Sequence, residues 1–183
     1  LHFTQQFREV IYLESNKHTN KYSTFDAVFA FDAFTSLQTD AFNGFEKLKE
    51  YQTDSNDWLF GYLTYDLKND VEDISSSNFD GLEFPELFFF QPKKIITIKD
   101  NYVEFNYLNF CNDELDFDFK EINEITLSYD LSKNQIQIKE RISKESYLSK
   151  VEKVKEHIQR GDIYEANFCM EFFAEDVTIN PTE

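Results

Sequence analysis

Residues 144–173 read KESYLSKVEKVKEHIQRGDIYEANFCMEFF, a stretch whose apolar spacing changes from helical to extended after a single glycine. In its first half the apolar residues recur at the period of a helix: Tyr147, Val151, Val154 and Ile158. Ser143 stands at the N-cap position and Gly161 at the C-cap position, so the spacing predicts a helix between them. From Ile163 to Phe173 the side chains alternate with period two, which predicts a strand.

The composition of the whole chain limits the classes of function. The protein has 183 residues, 41% of them hydrophobic, and 21 are Phe, so it has enough apolar material for a core, which argues against bulk disorder. Its net charge is −17 at pH 7. Binding to nucleic acid or to an anionic membrane needs clustered Lys and Arg, so this charge argues against both partners.

The cysteines and the ends of the sequence give expectations about where the protein is located and whether it is a fragment. Cys111 and Cys169 lack the spacing of a metal site and are expected to be reduced thiols. No basic and apolar leader is visible, and no apolar run reaches the roughly 20 residues that a membrane span needs. We therefore expect a cytoplasmic location. Because the sequence begins at Leu1 and its only methionine is Met170, we expect a fragment of a longer chain.

The remaining pattern predicts an α+β fold of mainly antiparallel sheets with flanking helices. Gly61, inside the third predicted strand, indicates a bulge or a close backbone approach. Strands are predicted at residues 8–15, 24–34, 58–67 and 86–92, a hairpin at 94–98 and 102–108, helices from 39 or 40 to 52 and at 112–124, and a short strand or connector at 135–139.

Three segments resemble the chorismate-utilising enzyme family, which includes aminodeoxychorismate synthase component I and anthranilate synthase component I. GDIYEANF (161–168) resembles the family signature GDIYQVN, from which it departs at Glu165 and Ala166. LFGYLTYDLKNDVE (59–72) is similar to the segment GYLSYDL…E, in the version closest to aminodeoxychorismate synthase. YLES (12–15) followed by KYSTFDA (21–27) is similar to LLxS…YSRFDI.

The resemblance implies a domain organisation and an activity. Residues 1–142 correspond to the amino-terminal domain, with the fold of the amino-terminal part of anthranilate synthase component I. Residues 143–183 correspond to the start of the chorismate-binding domain. The implied function is para-aminobenzoate (aminodeoxychorismate) synthase component I, which aminates chorismate to 4-amino-4-deoxychorismate in folate biosynthesis. Anthranilate synthase component I, of tryptophan biosynthesis, is the alternative enzyme.

Cofactor and partners also follow from the resemblance. The family uses Mg²⁺ as a Lewis acid on the leaving hydroxyl, and its metal-binding glutamates and catalytic lysine follow the GDIYQVN segment. The resemblance therefore assigns no catalytic residue and no metal ligand to this chain, which is expected to be inactive alone. A glutamine amidotransferase subunit is the implied ammonia donor. The apolar strand at 163–173 would lack neighbours, so we also expect dimers or aggregation unless it docks on the first sheet.

In the same family the segment around YLES and KYSTFDA helps to form a pocket for tryptophan. Ser15, Tyr22, Ser23 and Phe25 are the corresponding candidate residues. Hydroxyls and backbone groups can bind the charged ends of an amino acid, and aromatic rings can line its side chain. The alternative is structural: Ser15 ends a strand and Ser23 caps a turn.

Other polar clusters have plainer explanations. Asp66, Asp70 and Glu72 are residue types that could bind a metal or form paired carboxylates. Carboxylates just after a strand are more often part of a solvated loop or a helix start, which is the prediction here. His2, His18 and His157 are far apart in sequence, and His157 is expected at the surface of its helix.

Two classes of function other than an enzyme remain open at this point. A stand-alone module that binds tryptophan or another aromatic amino acid would show ligand binding without a longer coding sequence. An acidic interaction protein with coincidental motif matches would bind neither tryptophan nor chorismate.

Overall fold

The computed structural model of the protein describes residues 1–18, 21–75, 78–126 and 136–179. The chain forms two compact units, Leu1–Leu127 and Ser128–Glu183. The assignment of residues 1–142 and 143–183 to two family domains stays a prediction. The mixture of helices with antiparallel sheets confirms the predicted α+β class.

The first unit contains a five-stranded antiparallel sheet. Strand β4 is its centre, since β2 pairs along one edge while β3 and β5 pair with successive parts of the other edge; β1 pairs with β2. The strands are β1 (Val10–Glu14), β2 (Ala27–Thr39), β3 (Phe60–Leu63), β4 (Leu87–Lys99) and β5 (Tyr102–Tyr107). The predicted hairpin is confirmed, with β4 and β5 as its arms.

The sequence prediction is wrong for β4, because it ended one strand at Pro92 and began another at Lys94. The structure has a single strand through both residues. Pro92 lacks an N–H group and lies opposite Ala33, at a shift in the register between β2 and β4. Asp32 on β2 has φ +59°, a left-handed conformation at this irregularity. The bulge lets β2 and β4, each 13 residues long, stay paired on both sides of the proline.

Gly61 is confirmed as a site of close backbone approach. A Cβ atom at this position would lie 2.0 Å from the Phe88 carbonyl oxygen and 2.6 Å from Phe89 Cα. The predicted third strand, 58–67, is too long: β3 ends at Leu63, which pairs with Leu87 at the start of β4. Beyond Leu87 no paired residue of β4 remains, so the chain turns into a 3-10 helix.

The helices of the first unit differ from prediction mainly at their starts. Helix α1 (Gly44–Ser55) begins later than predicted because residues through Thr39 continue β2. Helix α2 (Leu115–Glu124) lies inside the predicted range 112–124. Short 3-10 helices occupy His2–Gln6, Tyr65–Asp70 and Asn109–Glu114.

The sheet has an apolar cluster on each face. Val28, Ala30, Phe60 and Phe90 form one cluster of buried side chains. Phe3, Phe31 and Ile96 form the other, against which Ile122 of α2 packs. The alternation of Val28 and Ala30 with Phe31 along β2 places the clusters on opposite faces.

The second unit contains helix α3 (Lys144–Arg160), and the predicted caps are confirmed. The Ser143 side chain accepts a hydrogen bond from the backbone N–H of Ser146, and Gly161 ends the helix with φ +81°. Strands β6 (Lys139–Glu140) and β7 (Phe172–Phe173) form a two-residue antiparallel pair. The strand predicted at 163–173 is therefore wrong except for its last two residues, since within the described residues only these pair with a neighbouring strand. Of the predicted segment 135–139, residue 135 lies outside the described residues and Lys139 belongs to β6.

Candidate functional site

The structure brings three of the four predicted ligand-binding residues to one cavity. Ser15, Ser23 and Phe25 line an open cavity of about 380 Å³ together with their sequence neighbours. Ser15 and Phe25 are partly buried, whereas Ser23 is exposed. The cavity is therefore formed by the end of β1 and the segment that leads into β2.

Backbone hydrogen bonds fix this part of the chain. The Ser15 N–H donates to the Asp26 carbonyl over 2.9 Å, and the Asp26 N–H donates to the Ile98 carbonyl over 2.8 Å. Asn16 and Lys17 both have positive φ, which turns the chain away from β1. Ser15 thus follows the end of a strand, as the structural alternative expects, and also lines the cavity.

Tyr22 differs from the other three. It does not line the cavity, its side chain is 81% exposed, and the Lys21 ammonium lies 5.5 Å from its ring centroid. The tryptophan-type pocket of Ser15, Tyr22, Ser23 and Phe25 stays a prediction. Three of these residues, Ser15, Ser23 and Phe25, line the same cavity.

Glu14 adds a carboxylate to the same cavity that the sequence reasoning missed. It lines the cavity and accepts a hydrogen bond of 2.8 Å from the Tyr12 hydroxyl. This hydrogen bond, with burial, raises the pKa of Tyr12 above its usual value. Glu14 is the third residue of YLES, so the motif itself contained the signal.

The acidic cluster after β3 is structural. Asp66 pairs with Lys68 at 2.5 Å, and Oδ2 of Asp70 accepts the Phe45 N–H at the start of α1 over 3.1 Å. These carboxylates face a cation and a helix N-terminus, in agreement with the predicted loop or helix start. In residues 1–18, 21–75, 78–126 and 136–179, no group of three or more His, Cys, Asp or Glu side chains could hold a metal ion.

The histidine prediction is confirmed at the end of α3. His157 is exposed, and its Nδ1 lies 2.7 Å from Oδ2 of Asp162. Arg160 contacts both residues, at 2.8 Å and 2.9 Å. This arrangement satisfies the carboxylate that follows Gly161 and places no nucleophile beside the imidazole.

The GDIYEANF segment continues from this helix end. Tyr164 is exposed, while the Phe168 ring lies with its centroid 5.3 Å from that of Tyr147. The Tyr147 hydroxyl also donates to the Phe168 carbonyl over 3.3 Å. Tyr147 therefore anchors the far end of the segment to the first turn of α3.

A second cavity, of about 390 Å³, was missed by sequence reasoning. It lies over β4 and β5, with Trp58 and Phe25 as aromatic walls and Lys93, Asp57 and Glu104 as charged groups. The Trp58 and Phe25 ring centroids are 5.9 Å apart. Apart from Phe25 of the KYSTFDA segment, its residues come from separated segments outside the family motifs, so no local signal marked it.

The sequence reasoning also missed a buried polar network on the other face of the sheet. Lys94 is 2% exposed, and its ammonium contacts Asp118 at 2.5 Å and Glu114 at 2.6 Å. The Tyr107 hydroxyl donates to the same Asp118 oxygen over 2.9 Å. A lysine inside an apolar strand was the available signal, together with the acidic segment that became α2.

Comparison with known protein families shows to which family the chain belongs. The model of the chorismate binding enzymes matches residues 8–182. The chain belongs to this family. The match covers the segments at 12–27, 59–72 and 161–168 on which the resemblance depended, and chorismate is therefore supported as the substrate.

A search of curated proteins finds no match to this chain. Among the described residues, no helix is both long enough and apolar enough to cross a membrane.

Proposed function

We propose that this chain is part of para-aminobenzoate (aminodeoxychorismate) synthase component I, which aminates chorismate to 4-amino-4-deoxychorismate. The observation that carries the proposal is the family match over residues 8–182. Within it, the segment GYLTYDL is nearest to the aminodeoxychorismate synthase version of the family. This enzyme would serve folate biosynthesis in the cytoplasm.

No catalytic or metal-binding role is assigned to the described residues of this chain. In the 59–72 segment Asp66 is engaged with Lys68 and Asp70 with the start of α1, and these two carboxylates do not fit a Mg²⁺ site. We assign Mg²⁺ to no residue of this chain. By resemblance, the metal ligands and the catalytic lysine follow the GDIYEANF segment, so residues 1–183 alone are expected not to convert chorismate.

The product decides between the two enzymes of the family. Native protein, captured from its source cells with an antibody against this chain, would be incubated with chorismate, ammonium and Mg²⁺ and analysed by liquid chromatography and mass spectrometry. We expect 4-amino-4-deoxychorismate, with glutamine replacing ammonium once a glutamine amidotransferase is added. Anthranilate as the product would refute the proposal in favour of anthranilate synthase component I.

The same experiment tests the contribution of this chain alone. Residues 1–183, purified and given the same substrates, are expected to leave chorismate unchanged. Turnover by the isolated chain would contradict the assignment of the catalytic groups to a later segment. The mass of the captured protein gives an independent check, because two domains of this size predict a chain of roughly 50 kDa.

A regulatory role in binding an aromatic amino acid is favoured by one specific observation, the cavity shared by Ser15, Ser23 and Phe25. The two hydroxyls and the Glu14 carboxylate suit the charged ends of tryptophan, and Phe25 suits its ring. This second candidate replaces the enzyme only if the native chain proves no longer than this one.

Calorimetric titration with tryptophan tests the cavity. We expect Ser15→Ala and Ser23→Ala each to weaken binding by about three- to tenfold, the usual effect of one lost hydrogen bond. Ser36→Ala, an exposed serine on β2, is the matched control and should leave affinity unchanged. Equal affinity in all three variants would exclude this pocket. The third alternative, an acidic interaction protein with coincidental motifs, is excluded by family membership.

A further inference from the structure

The cavity over β4 and β5 has the form of a small-molecule site. Its volume of about 390 Å³ lies within the usual range of ligand pockets, roughly 300–1,000 Å³. Ile95 and Thr97 of β4 pair with Asn106 and Glu104 of β5, so these four side chains share the face that forms its floor. Phe25 and Trp58 rise beside the floor as walls, and Trp58 is 49% exposed.

The charges around this cavity do not cancel. The Lys93 ammonium lies 2.8 Å from the Asp32 carboxylate, and this pair contributes no net charge. Asp57 and Glu104 then remain as two further carboxylates. The carboxylate of Glu104 makes no ion pair or hydrogen bond with any residue in the described ranges. The cavity therefore favours a cation over an anion.

One of the two carboxylates is held in place from the interior. Asp57 Oδ2 accepts a hydrogen bond of 3.0 Å from the side-chain amide of Gln91, which is only 8% exposed. The Gln91 backbone N–H in turn donates to the Tyr51 hydroxyl over 3.1 Å. A carboxylate fixed in this way loses little conformational freedom when it binds a ligand.

The strand irregularity lies at the same cavity. Asp32 has a left-handed φ of +59°, and non-glycine residues in that region are uncommon. Its N–H donates to the Glu9 carbonyl over 3.2 Å, and its carboxylate holds Lys93 beside the cavity. The irregularity therefore positions the Asp32–Lys93 pair at the cavity.

We infer that this second cavity binds a small organic amine that carries an aromatic ring. Its ammonium would lie between the carboxylates of Asp57 and Glu104, and its ring against Trp58 and Phe25, where aromatic packing adds to the contact. Chorismate is a dicarboxylate and is repelled by the same charges. The site is thus separate from catalysis and goes beyond the proposed function.

The tryptophan composition gives a direct assay. Trp58 is the only tryptophan of the chain, so its fluorescence reports on this cavity. Titration of residues 1–183 with 2-phenylethylamine is expected to change the emission in a saturable way. The matched anion, 3-phenylpropionate, and chorismate are expected to cause no saturable change at the same concentrations. Equal responses to the amine and to 3-phenylpropionate would overturn the inference, as would no response to the amine.

Variants test which groups recognise the amine. Glu104→Gln keeps the shape and removes one charge, and it should weaken 2-phenylethylamine binding by about three- to fivefold, the effect of one solvent-accessible ion pair. Glu50→Gln on α1, an exposed glutamate outside the cavity lining, should change nothing. If both variants bind as the unmodified chain does, the carboxylate has no role and the inference fails.

A further pair of measurements separates the two cavities, which share Phe25. Ser15→Ala with Ser23→Ala should leave the amine titration unchanged. Trp58→Phe, followed by saturation-transfer NMR on the ligand, should weaken amine binding while circular dichroism shows an intact fold. Loss of amine binding in the double serine variant would assign the ligand to the first cavity and overturn the inference.

Discussion

The Lys94 ammonium lies 2.5 Å from Oδ2 of Asp118 and so joins the central strand β4 to helix α2. Both side chains are almost completely buried, and Glu114 supplies a second contact to the ammonium at 2.6 Å. The Lys94 ammonium also lies 5.4 Å from the Phe7 ring centroid and 5.3 Å from that of Tyr107. A buried charge of this kind costs free energy if its partner is lost.

We predict that Asp118→Ala lowers the free energy of unfolding by about 3 kcal/mol, because Lys94 would retain only the half-exposed Glu114. Urea unfolding followed by circular dichroism measures the change. Lys120→Ala, on the exposed side of the same helix, should stay within about 0.5 kcal/mol of the unmodified chain.

The double variant Lys94→Met with Asp118→Leu separates the cost of an unpaired charge from the value of the pair. We expect it to be considerably more stable than Asp118→Ala, since well-packed apolar residues often replace a buried ion pair without loss. A double variant as unstable as Asp118→Ala would show that the pair itself supplies the stability.

The network also predicts how stability depends on pH. Burial opposes the charge of Lys94, but hydrogen bonds with Asp118 and Glu114 outweigh burial and raise the pKa of the ammonium above its ordinary 10.5. Burial first, and then the hydrogen bond to Asp118, raise the pKa of Tyr107 far above 10.0. Above these ordinary values the folded state holds more protons than the unfolded state.

We therefore predict that this contribution to the free energy of unfolding is complete below about pH 10 and decreases as the pH rises beyond it. Urea unfolding at a series of alkaline pH values measures the slope. Tyr107→Phe should have a shallower slope, and Tyr102→Phe, an exposed tyrosine on the same strand, should keep the original one. Equal slopes in the three proteins would remove Tyr107 from the explanation.

Gly61 gives a prediction about packing. Alanine at this position would place Cβ 2.0 Å from a backbone oxygen of β4, so the paired strands would have to separate. We expect Gly61→Ala to lower the free energy of unfolding, measured in urea, by about 3 kcal/mol. In Gly81→Ala the new Cβ meets a Phe79 ring carbon at 2.9 Å, which a side-chain rotation can relieve, so this variant should lose far less. Similar losses in the two would contradict the close approach.

Local signals predicted the local structure well. Ser143 and Gly161 identified both ends of α3, and Gly61 identified a close approach, because each depends on a few neighbouring residues. Residues 163–173 had the alternation of a strand but only Phe172 and Phe173 are paired, since a strand needs a partner that its own sequence does not specify. The long β4 was missed because the bulge that accommodates Pro92 is on another strand.

The candidate sites show the same difference between features that depend on neighbouring residues and features that depend on distant ones. Ser15, Ser23 and Phe25 were found through family motifs, and the fold brought them to one cavity. The cavity of Trp58 and Glu104 was not predictable, because its floor depends on the register between β4 and β5. Lys94 gave a partial signal, but its partner Asp118 could be identified only once α2 was packed on the sheet.

Asp70 provides the last prediction, since it caps a helix from 25 positions further along the chain. The N-cap residue of α1 is Asn43, whose own side chain forms no capping hydrogen bond. Asp70 accepts the Phe45 N–H instead, and a carboxylate at a helix N-terminus also interacts favourably with the helix dipole. Asp70→Ala should lower the free energy of unfolding by about 1 kcal/mol.

Hydrogen exchange of the Phe45 amide measures this cap directly. Asp70→Ala should expose that amide and accelerate its exchange, while amides in the middle of α1 keep most of their protection. Asp73→Ala, an exposed aspartate three residues further along, removes the same charge without contacting α1 and should leave the Phe45 amide unchanged. If the two variants exchange alike, the long-range charge rather than the hydrogen bond is responsible, and the carboxylates of this segment have no specific structural role.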